Sequence, residues 1–116
     1  MAIRNLERFR WQAYFDLISR ELLGKRAEIE VASLALGSQV AAEWVAVLGI
    51  TYEPRAATIR IMLDGLDHPV PHPQDVYVDE GPAGLANVEI TDASGTRHII
   101  RLREPLMLSA PSPTAG

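Results

Sequence analysis

Residues 86–102 read ANVEITDASGTRHIIRL, and apolar side chains alternate on both sides of a short polar break. A three-residue loop of Ala93, Ser94 and Gly95 places Gly95 in the left-handed position of a bulged turn, which pairs Asp92 with Thr96. Counting outward, Ile90 faces His98, Val88 faces Ile100 and Ala86 faces Leu102, while Asn87, Glu89, Arg97 and Arg101 share the other face. A slip of one residue would expose every apolar side chain, so the agreement of the two rows predicts an antiparallel hairpin with one buried face.

Upstream of this hairpin the period of two recurs. Val76 and Val78 flank Tyr77 as a short strand, with a loop at residues 80–84. Ile59, Ile61 and Leu63 form another inward row, reached from residues 50–52 through a turn at Glu53, Pro54, Arg55 and Ala56. Val40, Ala42, Trp44, Ala46 and Leu48 alternate as well, and the apolar neighbours Val45 and Val47 predict cover on both faces, with a break at Gly49. Ala27, Ile29 and Val31 alternate with Glu28 and Glu30; a change of phase predicts a bulge near Ala32 and Ser33, and Gly37 and Ser38 turn the chain. Between these strands, DGLDHPVPHPQ at residues 64–74 contains three prolines and reads as an ordered connection or a sheet edge.

The N-terminal segment has the helical period instead. Asn5 is a candidate N-cap and Gly24 a candidate stop, which predicts a helix over residues 6–23. Trp11, Tyr14, Phe15, Ile18 and Leu22 share its core face; Leu6, Phe9, Ala13 and Leu17 form a second apolar stripe on nearly the opposite side, a candidate interface. One helix followed by strands, with no second helix for crossovers, predicts an α+β fold: an N-terminal helix packed on a curved antiparallel sheet of about five to seven strands. Residues 1–108 are expected to form a single domain and residues 109–116, SAPSPTAG, a disordered tail.

The chain has 116 residues, 15 acidic and 11 basic, for a net charge of -4. Without a basic stripe to neutralise phosphates, nucleic-acid binding is not expected. The absence of cysteine rules out disulfides, thiolate nucleophiles and zinc–thiolate sites. The N-terminus lacks an uninterrupted apolar core and no stretch is long enough to span a membrane, so a cytoplasmic location is the expectation.

Chemistry-bearing residues gather chiefly at Asp64, Asp67, His68, His72 and Asp75, imidazoles and carboxylates of the type that hold divalent metals. A proline-stiffened extended segment separates the two histidines by roughly 12 Å, which favours a solvated connection over a metal site. His98 reads as a partly buried residue with one hydrogen-bond partner. Glu28 and Glu30 share a strand face that Arg97, Arg101, Arg103 or Arg60 could answer. Trp44 with Arg60, Arg101 or Arg103 could wall and anchor a small-ligand cavity. No catalytic or cofactor motif is present, and no cofactor is expected.

The segments WQAYFDLISREL, EIEV, LGSQV, GITYEP, DGLDHPV and ITDASGTRHIIRL together resemble a family of short, uncharacterised bacterial proteins, a domain of unknown function. The resemblance spans most of residues 11–103; it implies a bacterial source and carries over no activity, catalytic residue or cofactor. The expected function is a non-enzymatic module that binds a partner or itself through Leu6, Phe9, Ala13 and Leu17. The alternative is a small metal-dependent or hydrolytic enzyme using Asp64, Asp67, His68 and His72.

Overall fold

The computed structural model describes residues 3–107. In chain order it contains β1 (Ile3–Leu6), a 3-10 turn (Arg8–Arg10), α1 (Trp11–Leu22), β2 (Arg26–Ser33), β3 (Gly37–Glu53), β4 (Thr58–Leu63), β5 (Leu66–Pro71), β6 (Pro73–Gly81), β7 (Gly84–Asp92) and β8 (Arg97–Leu106). The strands form one sheet, antiparallel throughout, in the order β1-β6-β7-β8-β2-β3-β4-β5. The α+β character holds, but the sheet has eight strands rather than five to seven. Residues 109–116, expected to be a disordered tail, lie outside the described residues.

One extra strand comes from the N-terminus, where the helix is shorter than its apolar period implies. Asn5 is not an N-cap: it lies in β1 opposite Tyr77, and Leu6 lies opposite Val76. The helix starts at Trp11, whose indole N–H donates to the Leu6 carbonyl at 2.8 Å, and Arg10 at the cap position makes no side-chain capping bond. Backbone pairing with a distant strand therefore overrides local helix preference over residues 3–6. Gly24, at φ +85°, ends the helix as expected.

β3 is a single strand of 17 residues, and it organises the fold. Its first part pairs with β2 from Gly37 to Ala46, and its second part pairs with β4 from Val47 to Glu53. The bulge expected at Ala32 and Ser33 sits in β3 instead: Ala27 and Ile29 oppose Val45 and Ala42, and Ile29 and Glu30 oppose Ala42 and Val40. Each step gains one residue on β3, and Trp44 takes φ +52° there. These slips invert the inward row, so Val47 and Ile50 are buried while Val40 and Leu48 face out. A further slip at Gly49 matches the break expected there.

The bulges let the sheet curl. β8 and β5 are four strand intervals apart, about 19 Å in a flat sheet, yet the imidazoles of His98 on β8 and His68 on β5 are hydrogen-bonded at 2.9 Å. The inward residues Ile29, Val47, Ile59, Ile61, Val70, Val76, Val88, Ile90 and Ile100 meet Trp11, Phe15, Ile18 and Leu22 of α1 in one cluster. Tyr14, expected on the same core face, is only half-buried. Ser19 fastens α1 to β3, its hydroxyl donating to the Ile50 carbonyl at 2.8 Å and accepting from the Ile50 amide at 2.9 Å. The closing hairpin has the expected register at Ile90–His98 and Val88–Ile100, with the Asp92 amide bonded to the Thr96 carbonyl and Gly95 at φ +86°. Beyond Asn87 it slips, placing Leu85 against Leu106, so Ala86 does not face Leu102, which pairs with Ala27 of β2.

Candidate functional site

The proline-rich segment takes the edge role, as β5, and scatters its candidate metal ligands. Asp67 pairs with Arg60 at 2.5 Å across β4. His68 turns inward to His98, whereas the His72 amide donates to the Ala57 carbonyl at 2.7 Å in a left-handed conformation, φ +51°, that turns β5 into β6. Asp64 and Asp75 are exposed. Among the described residues, no three His, Cys, Asp or Glu side chains converge to hold a metal, so Asp64, Asp67, His68 and His72 do not form the ligand set their residue types imply.

His68 instead ends a partly buried polar chain that residue spacing does not announce. The Asp92 carboxylate accepts from the amides of Ser94 and Thr96, from the Ser94 hydroxyl, and from Nε2 of His98 at 2.9 Å. With Asp92 ionised, the proton of that last bond lies on Nε2; Nδ1 of His98 is then an acceptor and takes the Nε2 proton of His68 at 2.9 Å. His98 is 7% exposed and has two partners rather than the single one expected. Burial favours the neutral form of Asp92, but the hydrogen bonds from Ser94, His98 and the Ser94 and Thr96 amides outweigh it and hold the carboxyl below its usual range. Burial, then the neighbouring His98, push His68 below the usual imidazole range. The chain joins edge strand β5 to the β7–β8 hairpin, and the main surface grooves are lined by other residues. The signal for it was the inward parity of Asp92, His98 and His68; the contact itself depends on the curl.

The charged strand faces are internally answered. Arg101 donates to Glu30 at 2.6 Å and Glu28 at 3.3 Å, and Ser38 also bonds Glu30. Arg97 pairs with Glu89 at 3.8 Å and Arg60 with Asp67 and Glu53. An open groove of about 350 Å³ lies over this face, lined by Tyr77, Asn87, Arg97 and Arg101 among others, and Trp44 is not part of it. Arg60, Arg101 and Arg103 therefore do not converge on Trp44 as anchors of one cavity.

Apolar surface is exposed in two places. At the helix, Leu6 leaves the anticipated stripe and is buried, forming the floor of a shallow groove with Phe9, Ala13, Tyr14 and Leu17. Phe9 is 75% and Leu17 53% exposed, with Arg10 stacked 5.5 Å from the Phe9 ring. Arg4 pairs with Glu80, which also accepts the Tyr14 hydroxyl at 2.7 Å. The second place is the arm formed by β2 and the start of β3: Leu34 is fully exposed, Leu36 74% and Val40 56%. From Val31 to Ala42 the chain carries no charged residue. The outer edge of β3 over this arm, from Gly37 to Val45, has no partner strand among the described residues, since β4 begins its pairing only at Val47.

No helix among the described residues is long and apolar enough to cross a membrane. No solved structure matches the chain. An uncharacterised protein of Aquifex aeolicus is 31% identical over 109 residues, covering 93% of this chain and 98% of that protein. A family model described as a family of unknown function, DUF5335, matches residues 2–111. With nearly the whole chain matched both by the family model and by a relative of similar length, the chain belongs to the DUF5335 family of unknown function.

Proposed function

We propose that this chain is a non-enzymatic module that works by self-association. The observation that carries the reading is the exposure of Leu34, Leu36 and Val40 on one arm and of Phe9 and Leu17 on a separate surface. Leaving large apolar side chains in water forgoes roughly 1.5–3 kcal/mol each relative to burial, and clustered apolar exposure marks contact surfaces. The ionisable groups support the same reading, because the strongest cluster, Asp92–His98–His68, spends both ring nitrogens of His98 and most of the Asp92 acceptors on internal bonds. The alternative, a metal-dependent or hydrolytic enzyme built on residues 64–75, lacks a converging set of ligands.

Of the two surfaces, the helix groove is the weaker candidate. It keeps Phe9, Ala13 and Leu17 from the anticipated interface but has lost Leu6 to the core, and Arg10 covers part of the Phe9 ring. Sedimentation velocity of the full chain at micromolar concentration tests the proposal. The expected result is a species heavier than one chain that dissociates on dilution; a single monomeric species at every concentration would overturn it.

A further inference from the structure

We infer that two copies of this chain pair through the open edge of β3, antiparallel about a two-fold axis near Val40, to make one sheet continuous across both. The inference rests on the self-association reading above and assigns it a surface. A strand edge presents unpaired N–H and C=O groups, and folded proteins ordinarily block such edges with prolines, charges, bulges or brevity. Among the described residues, two of the edges are blocked in this way. β5 carries Pro69 and Pro71 with Asp67 between its ends, and β1 has only four residues, one of them Arg4. The third edge, Gly37–Val45 of β3, has no proline and one charge, Glu43, and its bulges, between Val40 and Ala42 and between Ala42 and Val45, leave Gly37–Val40 regular.

The composition of that edge suits a second copy of itself. An antiparallel pair about a two-fold axis sets each residue against its mirror position, so any charge near the axis meets a like charge. None lies there: residues 31–42 are uncharged. With Val40 on the axis, Ser38 faces the partner's Ala42 and Gln39 the partner's Ala41. Glu43 then lies opposite the partner's Gly37, and the two Glu43 side chains stand at most about 20 Å apart, six residues along a strand shortened by the bulge at Ala41, beyond the screening length of about 8 Å at physiological salt. Val40 would meet the partner's Val40, and Leu36 and Leu34 at the arm's tip reach past the axis over the partner's sheet. The intramolecular bonds of the arm leave this edge untouched: Glu30 binds Ser38 from the β2 side, and the Ser33 hydroxyl caps the turn by accepting from the Leu36 amide at 3.0 Å. On the C-terminal side of the arm the Ala46 carbonyl is already used by the Asp64 amide at 2.9 Å, which limits pairing to the arm.

The test compares full-length variants by sedimentation velocity over a concentration series, with circular dichroism to verify folding. Val40→Lys sets like charges against each other on the axis, at an exposed position the monomer fold does not need. It is expected to weaken the dimer at least tenfold, as is Val40→Glu, while an equal mixture of the two restores a dimer across the opposite charges. Phe9→Ser with Leu17→Ser is expected to leave the dimer intact. A dimer that Val40→Lys does not weaken, or that the Phe9 and Leu17 changes dissociate, overturns the edge assignment while leaving self-association standing. A wild-type chain that stays monomeric overturns both.

Discussion

Two glycines at positive φ have different reasons for being glycine. At Gly95, φ +86°, nothing lies within 4 Å of the place a side chain would occupy, so a substitution is penalised by backbone conformation alone, about 1–2 kcal/mol for Gly95→Val. At Gly84, φ +109°, a Cβ would sit 2.3 Å from the Leu106 carbonyl oxygen, so even Gly84→Ala must push β7 from β8. Thermal unfolding is expected to rank Gly84→Ala as the more damaging of the two; equal losses would contradict the close approach. Only Gly95 could be placed from sequence, because a turn is local and the Leu106 contact is not. A second residue-scale prediction concerns acid. The folded state holds His68 below its ordinary value of 6.5, so it favours the neutral imidazole. The associated stability is fully present above about pH 6.5 and is lost as the pH falls from there through the lowered His68 value, because the unfolded chain takes up the proton first. Asp92, held below its ordinary 3.8, adds a second loss as the pH drops below that value. Wild type is therefore expected to lose melting temperature as the pH falls below about 6.5 more steeply than His68→Gln; parallel curves would remove His68 from the account.

Secondary structure was legible wherever one local rule governed it. The register of the β7–β8 hairpin follows from Gly95 and the alternation around it, and it makes a sharp contrast testable. Ile100→Ala empties a buried position and should cost about 2–5 kcal/mol, whereas Arg101→Ala, on the half-exposed face, should cost much less. Arg101 is not neutral, because its removal leaves Glu28 and Glu30 side by side without their shared cation. The helix start and the phase of β3 were not legible for the same physical reason. Leu6 fits a helical stripe as well as a strand end, and only the distant pairing of β1 with β6 decides between them. Trp44 fits an inward row until the bulge that contains it, and a second at Ala41, shift the phase of the strand. Ser19 belongs to the same class, since nothing around it in sequence announces two bonds to Ile50. Ser19→Ala would leave that amide and carbonyl unpaired between α1 and β3, a loss of about 1–3 kcal/mol in denaturant unfolding, while Ser19→Thr, which keeps the hydroxyl, should recover part of it.

At the scale of the molecule, the bulged strand β3 both curls the sheet around α1 and leaves an arm projecting from it. The curl brings His68 to His98 across four strand intervals, a contact between residues 30 apart in sequence that alternation alone places only on the same inward face. Among the anticipated interface residues, Phe9, Ala13 and Leu17 were legible as exposed because the helical period is local; the arm was hidden because the lack of a partner along Gly37–Val45 depends on where β4 begins its pairing. A strand edge with no proline and no charge from Gly37 to Ala42, flanked by exposed leucines, is, physically, half of an interface. Hydrogen exchange of the wild-type chain at high and low concentration examines that claim most directly. The outward-facing amides between Gly37 and Ala42 should be protected at high concentration and exchange freely on dilution, while the amides facing β2 stay protected in both. Exchange in this segment that is indifferent to concentration, or concentration-dependent protection confined to the groove of Phe9 and Leu17, would contradict it.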